Sequence, residues 1–223
     1  MSDFGIIGIG RIGTSMARNM SSKGIIVSLF DKSHNSLDNL KNDYPELESS
    51  LVFNDINKFI SSISKPRKVL VLVPSGPALD EVISLLIQYL DSNDILIDGG
   101  NTNPNVSFEN HQTIKSKNLL YLGMGVSGGV KGVLEGPSIM IGGDTNAFDQ
   151  VKNIFSQITS KTINGSKSFE FFGDSNQGHF VKMIHNGIEY VEMQLISSIY
   201  YLMINSKKYM YDDVAKIFKK WND

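Results

Sequence analysis

Short apolar runs alternate with amphipathic segments along most of the chain. The runs have the length of buried strands and cover residues 4–9, 25–30, 69–73, 95–98, 119–122 and 138–141, with one or two more within 161–172. The segments between them predict helices at 11–22, 77–90, 106–117 and 146–158, and within 35–44 and 55–63. Strands that alternate with helices predict a doubly wound α/β fold, in which helices cover both faces of a mostly parallel sheet.

The pattern changes after residues 173–178, whose sequence Gly-Asp-Ser-Asn-Gln-Gly is typical of a break between elements. Beyond it we predict one long helix to about residue 205 and a short helix at 211–221. We therefore predict two domains, a sheet domain at 1–175 and the start of an all-α domain at 176–223. Residues 200–203 make the long helix apolar on several faces near its end, so we expect that end to pack against a partner.

The long helix carries two stripes of side chains at helical spacing. One stripe is apolar and consists of Val181, Ile184, Ile188, Val191 and Leu195. The other is polar and consists of Lys182, His185, Asn186 and Glu189.

The polar stripe has two interpretations. The simpler one is the solvated face of a surface helix. However, His and Asn are poor helix formers, and Gly187 costs about 1 kcal/mol inside a helix. A glycine at that position is explained if another molecule must approach the backbone. A lysine among a histidine, an amide and a carboxylate is also a plausible general base.

A glycine motif follows the first predicted strand, in the sequence Gly8-Ile9-Gly10-Arg11-Ile12-Gly13. In the order strand, turn, helix and strand, such glycines permit a tight turn and let backbone N–H groups approach a pyrophosphate. Asp31, 18 residues after Gly13, is placed to accept hydrogen bonds from an adenosine ribose. We therefore predict a Rossmann-type site for a dinucleotide; the alternative is a glycine-rich turn without a ligand.

The acid at the end of the second strand also bears on which dinucleotide binds. A carboxylate at Asp31 would repel a 2′-phosphate, which favours NAD over NADP. Lys32 and Ser33 follow and could soften that repulsion, so NADP stays possible.

Several predicted strands end in small residues, at Val73-Pro74-Ser75-Gly76, Gly99-Gly100-Asn101 and Ser127-Gly128-Gly129. Ligands of such sheets bind beyond the carboxyl ends of the strands. Together the three ends indicate one crevice, and Val73, Pro74 and Asn101 are candidates to touch the cofactor. Ordinary turn chemistry is the alternative for any one of them.

The composition of the chain bears on which partners and which compartment are expected. With 41% hydrophobic and 20% charged residues and a net charge of −2, nothing favours nucleic acid or an anionic membrane as a partner. No apolar run approaches the 18 residues of a membrane span, and no metal-ligand spacing is found. The chain has no cysteine, which fits a reducing compartment, and we expect a cytoplasmic protein.

The chain resembles the decarboxylating 6-phosphogluconate dehydrogenases, within the β-hydroxyacid dehydrogenases. The resemblance covers essentially all 223 residues, and the stretches that carry it are 97–101, 125–129, 136–140 and 178–190. The last, Gly-His-Phe-Val-Lys-Met-Ile-His-Asn-Gly-Ile-Glu-Tyr, is the most specific. The glycine motif with Asp31 is more similar to the shorter, NAD-using branch, since the NADP-using branch has Asn-Arg-Thr at positions 31–33.

The resemblance implies a role for each matching position. Lys182 would be the general base for oxidation at C3 of the sugar acid, and Glu189 would protonate the enediol left by decarboxylation. Tyr190 would reach the substrate phosphate. The carboxylate and hydroxyls of the substrate would be held by Asn101, Ser127, Gly128, Gly129, His185 and Asn186.

In this family the helical domain continues well past the position of Asp223, and its further part supplies phosphate ligands and much of a dimer interface. We therefore expect a homo-oligomer, most simply a dimer, with apolar surface near Tyr200 that needs a partner. Two other functions stay open: a dehydrogenase of another β-hydroxy acid, and a non-catalytic NAD-binding module.

Overall fold

The computed structural model describes residues 1–33, 37, 40–206 and 209–222. Its contacts divide the chain into two compact units, Met1–Lys182 and Met183–Asp223. The boundary that we predict after residue 175, between a cofactor domain and a substrate domain, stays a prediction.

Within the described residues, eight strands of the first unit form one sheet in the order β3-β2-β1-β4-β5-β6-β7-β8. All neighbours are parallel except β6 and β7, which are antiparallel. The strands are β1 Phe4–Ile7, β2 Val27–Phe30, β3 Leu51–Phe53, β4 Lys68–Val71, β5 Ile95–Asp98, β6 Leu120–Ser127, β7 Ser138–Gly143 and β8 Phe169–Phe171.

Helices cover both faces of this sheet. They are α1 Arg11–Ser22, α2 Leu40–Asp43, α3 Ile56–Ser61, α4 Pro77–Leu86, α5 Pro104–Lys115, α6 Gly129–Glu135 and α7 Thr145–Ile158. One buried cluster includes Met16 of α1 and Phe155 of α7, and the other includes Phe59 of α3 and Leu79 of α4. A core on each face is what a doubly wound fold requires, and the predicted fold class is confirmed.

Two last helices follow, α8 Gln177–Asn205 and α9 Tyr211–Asn222. The first six residues of α8 belong to the first unit and the rest of it to the second. In the second unit Val214 is buried, and the rings of Phe218 and Trp221 lie 5.6 Å apart. No helix in the described part of the chain is long and apolar enough to cross a membrane.

The apolar stripe of α8 is largely uncovered. Ile188 is 59% exposed and Leu195 58% exposed, and Tyr200 and Leu202 are exposed as well. These residues have the spacing of a buried helix face but not the burial. The expected apolar surface near Tyr200 is therefore present.

The sequence pattern misjudged three elements of the sheet domain. We expected the fifth apolar run to end at Leu122, but β6 continues to Ser127 through Gly123 and Gly125. Neither β3 nor α6 was predicted, because β3 is a short edge strand and α6 begins in a glycine-rich stretch. Of the helix predicted within 35–44, Leu40–Asp43 is helical, and residues 35, 36, 38 and 39 lie outside the described residues.

Candidate active site

The glycine loop joins β1 to α1. Gly8 has a φ of +92°, which favours glycine, and a Cβ there would lie 2.5 Å from the carbonyl oxygen of Leu72. A Cβ on Gly13 would overlap the carbonyl group of Gly8, whereas the space around Gly10 is open to 4 Å. The first and third glycines are thus needed for packing, and the second leaves room for a ligand at the N-terminus of α1.

Ile9, Arg11 and Ile12 contribute to this loop in different ways. The side chain of Ile9 is buried in the core, and Ile12 packs against the same cluster, so both offer only backbone groups to a ligand. Arg11 is exposed. Together with Gly10, Thr14 and Arg18 it lines a cavity of about 420 Å³ beside the loop.

Asp31 braces the glycine loop. One oxygen of its carboxylate accepts a hydrogen bond of 2.8 Å from the backbone N–H of Ile9, and the other accepts one of 2.8 Å from Ser33. Lys32 forms an ion pair with Glu81 of α4. The carboxylate is therefore fixed in place beside the loop before any ligand binds.

A smaller cavity of about 170 Å³ lies beside Asp31. Its lining is mostly apolar, with charged groups at Asp31, Lys32 and Glu81, and this combination suits the flat ring and polar ribose of an adenosine. The cavity brings together five predicted cofactor residues: Gly8, Asp31, Lys32, Val73 and Pro74. It also adds residues that the sequence pattern missed, because they lie on a helix rather than at a strand end: Ala78, Glu81, Val82 and Leu85.

The carboxyl ends of β4, β5 and β6 point the same way, because these strands are parallel neighbours. β4 and β5 end level with each other and with Gly123, whereas β6 runs four residues farther to Ser127, so Pro74, Asn101 and Ser127 lie on the same side of the sheet but not at one level. Gly128 and Gly129 have φ values of +131° and +58° and lead into α6. Positive φ at both positions explains why glycines stand there.

Asn101 is exposed on a loop that Asp98 holds in place. The buried carboxylate of Asp98 accepts a hydrogen bond of 3.0 Å from the backbone N–H of Gly100 and one of 2.8 Å from the hydroxyl of Thr102. These two bonds fix the loop on either side of Asn101.

Lys182 is buried, with 8% of its surface exposed. A Cβ on Gly125 of β6 would overlap the Cβ of Lys182, and it would lie 3.1 Å from the carbonyl oxygen of Gly178. A Cβ on Gly178 would in turn lie 2.7 Å from the carbonyl oxygen of Met140. The first turn of α8 therefore packs backbone to backbone on the glycines of β6 and β7, and this packing buries Lys182.

The remaining predicted site residues of α8 lie in the second unit. Nδ1 of His185 lies 3.3 Å from Oδ1 of Asn186 and 3.7 Å from Oε2 of Glu189. His185 and Asn186 are half-buried, whereas Glu189 and Tyr190 are exposed. Three of the four residues of the polar stripe are thus in contact through His185, which lies beside both Asn186 and Glu189.

No group of three or more potential metal-ligating side chains lies together within the described residues. Sequence reasoning missed His179, which is 2% exposed, because one histidine in the first turn of a helix has no pattern of its own. Its position three residues before Lys182 was the available signal.

Two family models match the chain, each over a separate stretch. The model of the NAD binding domain of 6-phosphogluconate dehydrogenase matches residues 3–166. The model of the C-terminal domain of 6-phosphogluconate dehydrogenase matches residues 178–223.

Individual relatives extend this similarity. Decarboxylating 6-phosphogluconate dehydrogenases of Staphylococcus epidermidis and Staphylococcus aureus are each 38% identical to the chain, over 218 and 224 residues. The matches cover 98% of this chain and 46% of each relative, so the chain spans about half the length of the curated relatives it matches.

Comparison with solved structures finds similar folds. A 6-phosphogluconate dehydrogenase of Plasmodium falciparum, studied in its apo form and in complex with NADP⁺ and with 6-phosphogluconate, has a TM-score of 0.91 and 36% identity, and the match covers 99% of this chain and 47% of that one. A 3-hydroxyisobutyrate dehydrogenase of Mycobacterium tuberculosis has a TM-score of 0.78 at 18% identity, with 99% of this chain and 70% of that one covered, and shows likeness of fold alone.

Proposed function

The chain belongs to the 6-phosphogluconate dehydrogenase family, and from that premise we propose that it oxidises and decarboxylates 6-phosphogluconate to ribulose 5-phosphate and CO₂, with hydride transfer to NAD(P). The observation that carries the proposal is the burial of Lys182 against Gly125, near the start of a helix whose next turns bear His185, Asn186 and Glu189. A solvated surface lysine would have no need of a glycine beneath it.

Lys182 is the proposed general base. Burial removes water from an ammonium group and so favours the neutral amine, which can take the proton from the C3 hydroxyl as hydride leaves C3. The 3-keto acid that results loses its carboxylate as CO₂, while the ammonium of Lys182 returns a proton to the C3 oxygen. Glu189 then protonates the enediol at the carbon that becomes C1 of ribulose 5-phosphate, while the neutral amine of Lys182 takes back the proton on the former C3 oxygen and leaves the ketone.

The proposed substrate site uses the other predicted residues. Asn101 stands on the loop fixed by Asp98, and Ser127, Gly128 and Gly129 form the adjacent strand end. His185 and Asn186 add donors and acceptors from α8, and Tyr190 is proposed to reach the phosphate. We also propose that residues 1–175 bind the cofactor and that residues 176–223 begin the substrate and dimerisation domain.

We propose NAD as the preferred cofactor of the NAD-binding domain, with NADP as the alternative. Both oxygens of Asp31 accept backbone hydrogen bonds, so the carboxylate is held rigidly beside the adenosine cavity. A fixed negative charge there disfavours a 2′-phosphate and leaves lone pairs for the ribose hydroxyls. A cytoplasmic location stays a prediction from composition.

We propose that the chain forms a homodimer through the apolar stripe of α8. Exposed apolar patches of this extent are typical of interaction surfaces rather than of monomer surfaces. The stripe spans several turns of one helix, which suits pairing with a second helix of the same kind.

The direct test is NADH formation on mixing the chain, NAD and 6-phosphogluconate, compared with Lys182→Ala. We expect the variant to lose at least about 10²-fold in turnover, since the base is removed, and to bind NAD with unchanged affinity. Turnover near that of the parent chain would remove Lys182 from the mechanism.

Matched reactions separate the other functions. NADH formed from other β-hydroxy acids but not from 6-phosphogluconate would identify a relative with another substrate. NAD binding without turnover of any acid would identify a non-catalytic module at this chain length.

A further inference from the structure

A network of hydrogen-bonded polar side chains is buried inside the first unit. The carboxylate of Asp98 accepts a hydrogen bond of 3.3 Å from the hydroxyl of Tyr121. The same hydroxyl lies 3.0 Å from Oγ of Ser107, which lies 2.9 Å from Nδ1 of His179. All four residues are less than 3% exposed, so these hydrogen bonds form without competition from water.

The polar network lies against β6 at Gly123, a residue that has no side chain. A Cβ on Gly123 would lie 2.9 Å from Oγ of Ser107 and 3.0 Å from Nδ1 of His179. The glycine makes room for the ring of His179 to lie directly on the strand. Gly125, two residues later on the same face of β6, makes room for Lys182 in the same way.

The two ends of this polar network lie at two parts of the proposed site. At one end, Asp98 fixes the loop that carries Asn101, through Gly100 and Thr102. At the other end, His179 lies in the first turn of α8, three residues and about one turn before Lys182.

The second nitrogen of the His179 ring, Nε2, is buried and has no hydrogen-bond partner of regular geometry among the described residues. Burial lowers the pKa of His179 below its ordinary value, and it outweighs the negative charge of Asp98 and the backbone groups of Asp98 and Gly100, which all act to raise that pKa. The ring is therefore neutral near pH 7, lying against the Asn101 loop and hydrogen-bonded to Ser107.

We propose that His179 is a positioning residue, which joins the loop of Asn101 to the first turn of α8 and thereby fixes the base of the Lys182 side chain on Gly125. It acts through Ser107 and by filling the space above Gly123, and it transfers no proton in the reaction. The inference rests on the proposed role of Lys182.

The test measures how well the side chain of Lys182 is protected from a reagent in solution, and this measurement does not depend on turnover. The full chain is treated with acetic anhydride at neutral pH, and the acetylation of Lys182 is followed by peptide mass spectrometry. Lys216, whose side chain is 77% exposed, serves as the internal reference, and the half-buried Lys68 of β4 reports any general loosening of the sheet.

Three variants separate the hydrogen bond from simple packing. His179→Leu keeps apolar bulk but loses the bond to Ser107, Ser107→Ala removes the partner and leaves the ring, and His179→Asn offers an amide in the position of Nδ1. We expect the first two to raise the acetylation rate of Lys182 by about 2- to 10-fold, the equivalent of one hydrogen bond, with Lys68 unchanged. His179→Asn should stay within about 2-fold of the parent.

The double variant His179→Leu/Ser107→Ala should be no more reactive at Lys182 than Ser107→Ala alone, since that variant already breaks the bond between Ser107 and His179 together with the contacts of Ser107 to Tyr121 and Ser175. Protection of Lys182 that persists in Ser107→Ala, or a parallel rise at Lys68, would overturn the inference, and Ser107→Ala decides the matter if His179→Leu does not fold. Failure of the proposed function would instead appear as absent turnover in the parent chain, with the acetylation pattern unaffected.

Discussion

Asp31 has a structural task, and its proposed ligand-binding task would use the same carboxylate. Its two oxygens accept the backbone N–H groups of Ile9 and Ser33, so it holds the glycine loop, and it also lines the cavity proposed for adenosine. A substitution that removes the negative charge should therefore keep as much of the hydrogen bonding as possible.

Asp31→Asn meets that condition, because the amide oxygen still accepts one backbone hydrogen bond. With the charge removed, we expect the ratio of NADP affinity to NAD affinity to rise about tenfold, which corresponds to about 1.4 kcal/mol. Titration of each cofactor into the parent and variant chains measures the ratio. An unchanged ratio would mean that Asp31 does not set the cofactor preference.

His179 makes the free energy of unfolding depend on pH. Burial lowers its pKa below the ordinary value of 6.5, so in acid the unfolded chain takes up a proton before the folded chain does. The stabilising contribution is complete above pH 6.5 and is lost as the pH falls from 6.5 through the lowered pKa of the folded state.

We expect the free energy of unfolding in urea to fall more steeply with acidification in the parent chain than in His179→Asn. The comparison is made between pH 7 and pH 5, and the difference between the two slopes isolates His179 from the other histidines. Parallel slopes would show that the ring is not held neutral.

Helix α8 and strand β6 fit together because neither has a side chain where they meet most closely. Gly123 and Gly125 on the strand and Gly178 on the helix allow their backbones to approach. The same approach buries Lys182, so the packing of two elements and the burial of the proposed base have one cause.

Gly125→Ala should destabilise the fold, because its new Cβ would overlap the Cβ of Lys182, which cannot move without shifting the helix. We expect a loss of about 1–3 kcal/mol in the free energy of unfolding, the usual cost of overpacking. Gly187→Ala is the matched control, since the space around Gly187 is open and alanine favours a helix by about 0.5–1 kcal/mol over glycine. Urea unfolding of both variants should give shifts of opposite sign, and equal shifts would contradict the packing described.

The molecule as a whole leaves apolar surface on α8 uncovered. A stable interface between two proteins buries about 1,200–2,000 Å², and the exposed apolar residues of α8 between Ile188 and Leu202, which include the end of the stripe, offer a long contact line for that purpose. A dimer through this face would remove the exposed residues from water.

Leu195→Glu, which introduces a charge into this exposed apolar surface, should convert the proposed dimer to a monomer. Burying an unpaired carboxylate is costly, so we expect the dissociation constant measured by analytical ultracentrifugation to rise at least about 100-fold. Gln194→Glu adds the same charge at a neighbouring exposed polar position and should change association little. Association that survives Leu195→Glu would place the interface elsewhere, and NAD binding should be the same in both variants.

The local pattern of the sequence was sufficient for most elements. β5 and α1 were predicted to the residue, and α8 was predicted over nearly its whole length, because a strand or helix with one buried face shows its period in any short window. β6 was cut short for the opposite reason. Its glycines serve contacts with a helix more than 50 residues later, and within a short window they look like a turn.

The sequence by itself determined the alternation of strands and helices, the glycine loop with Asp31, and the set of chemically active side chains on α8. These are local features, recorded in spacing and residue type. Tertiary structure alone decided that β6 and β7 run antiparallel, that Lys182 is buried on Gly125, and that Ser107 and His179, 72 residues apart, share a hydrogen bond. Such contacts depend on how distant elements pack, and no local period of apolar and polar residues records them.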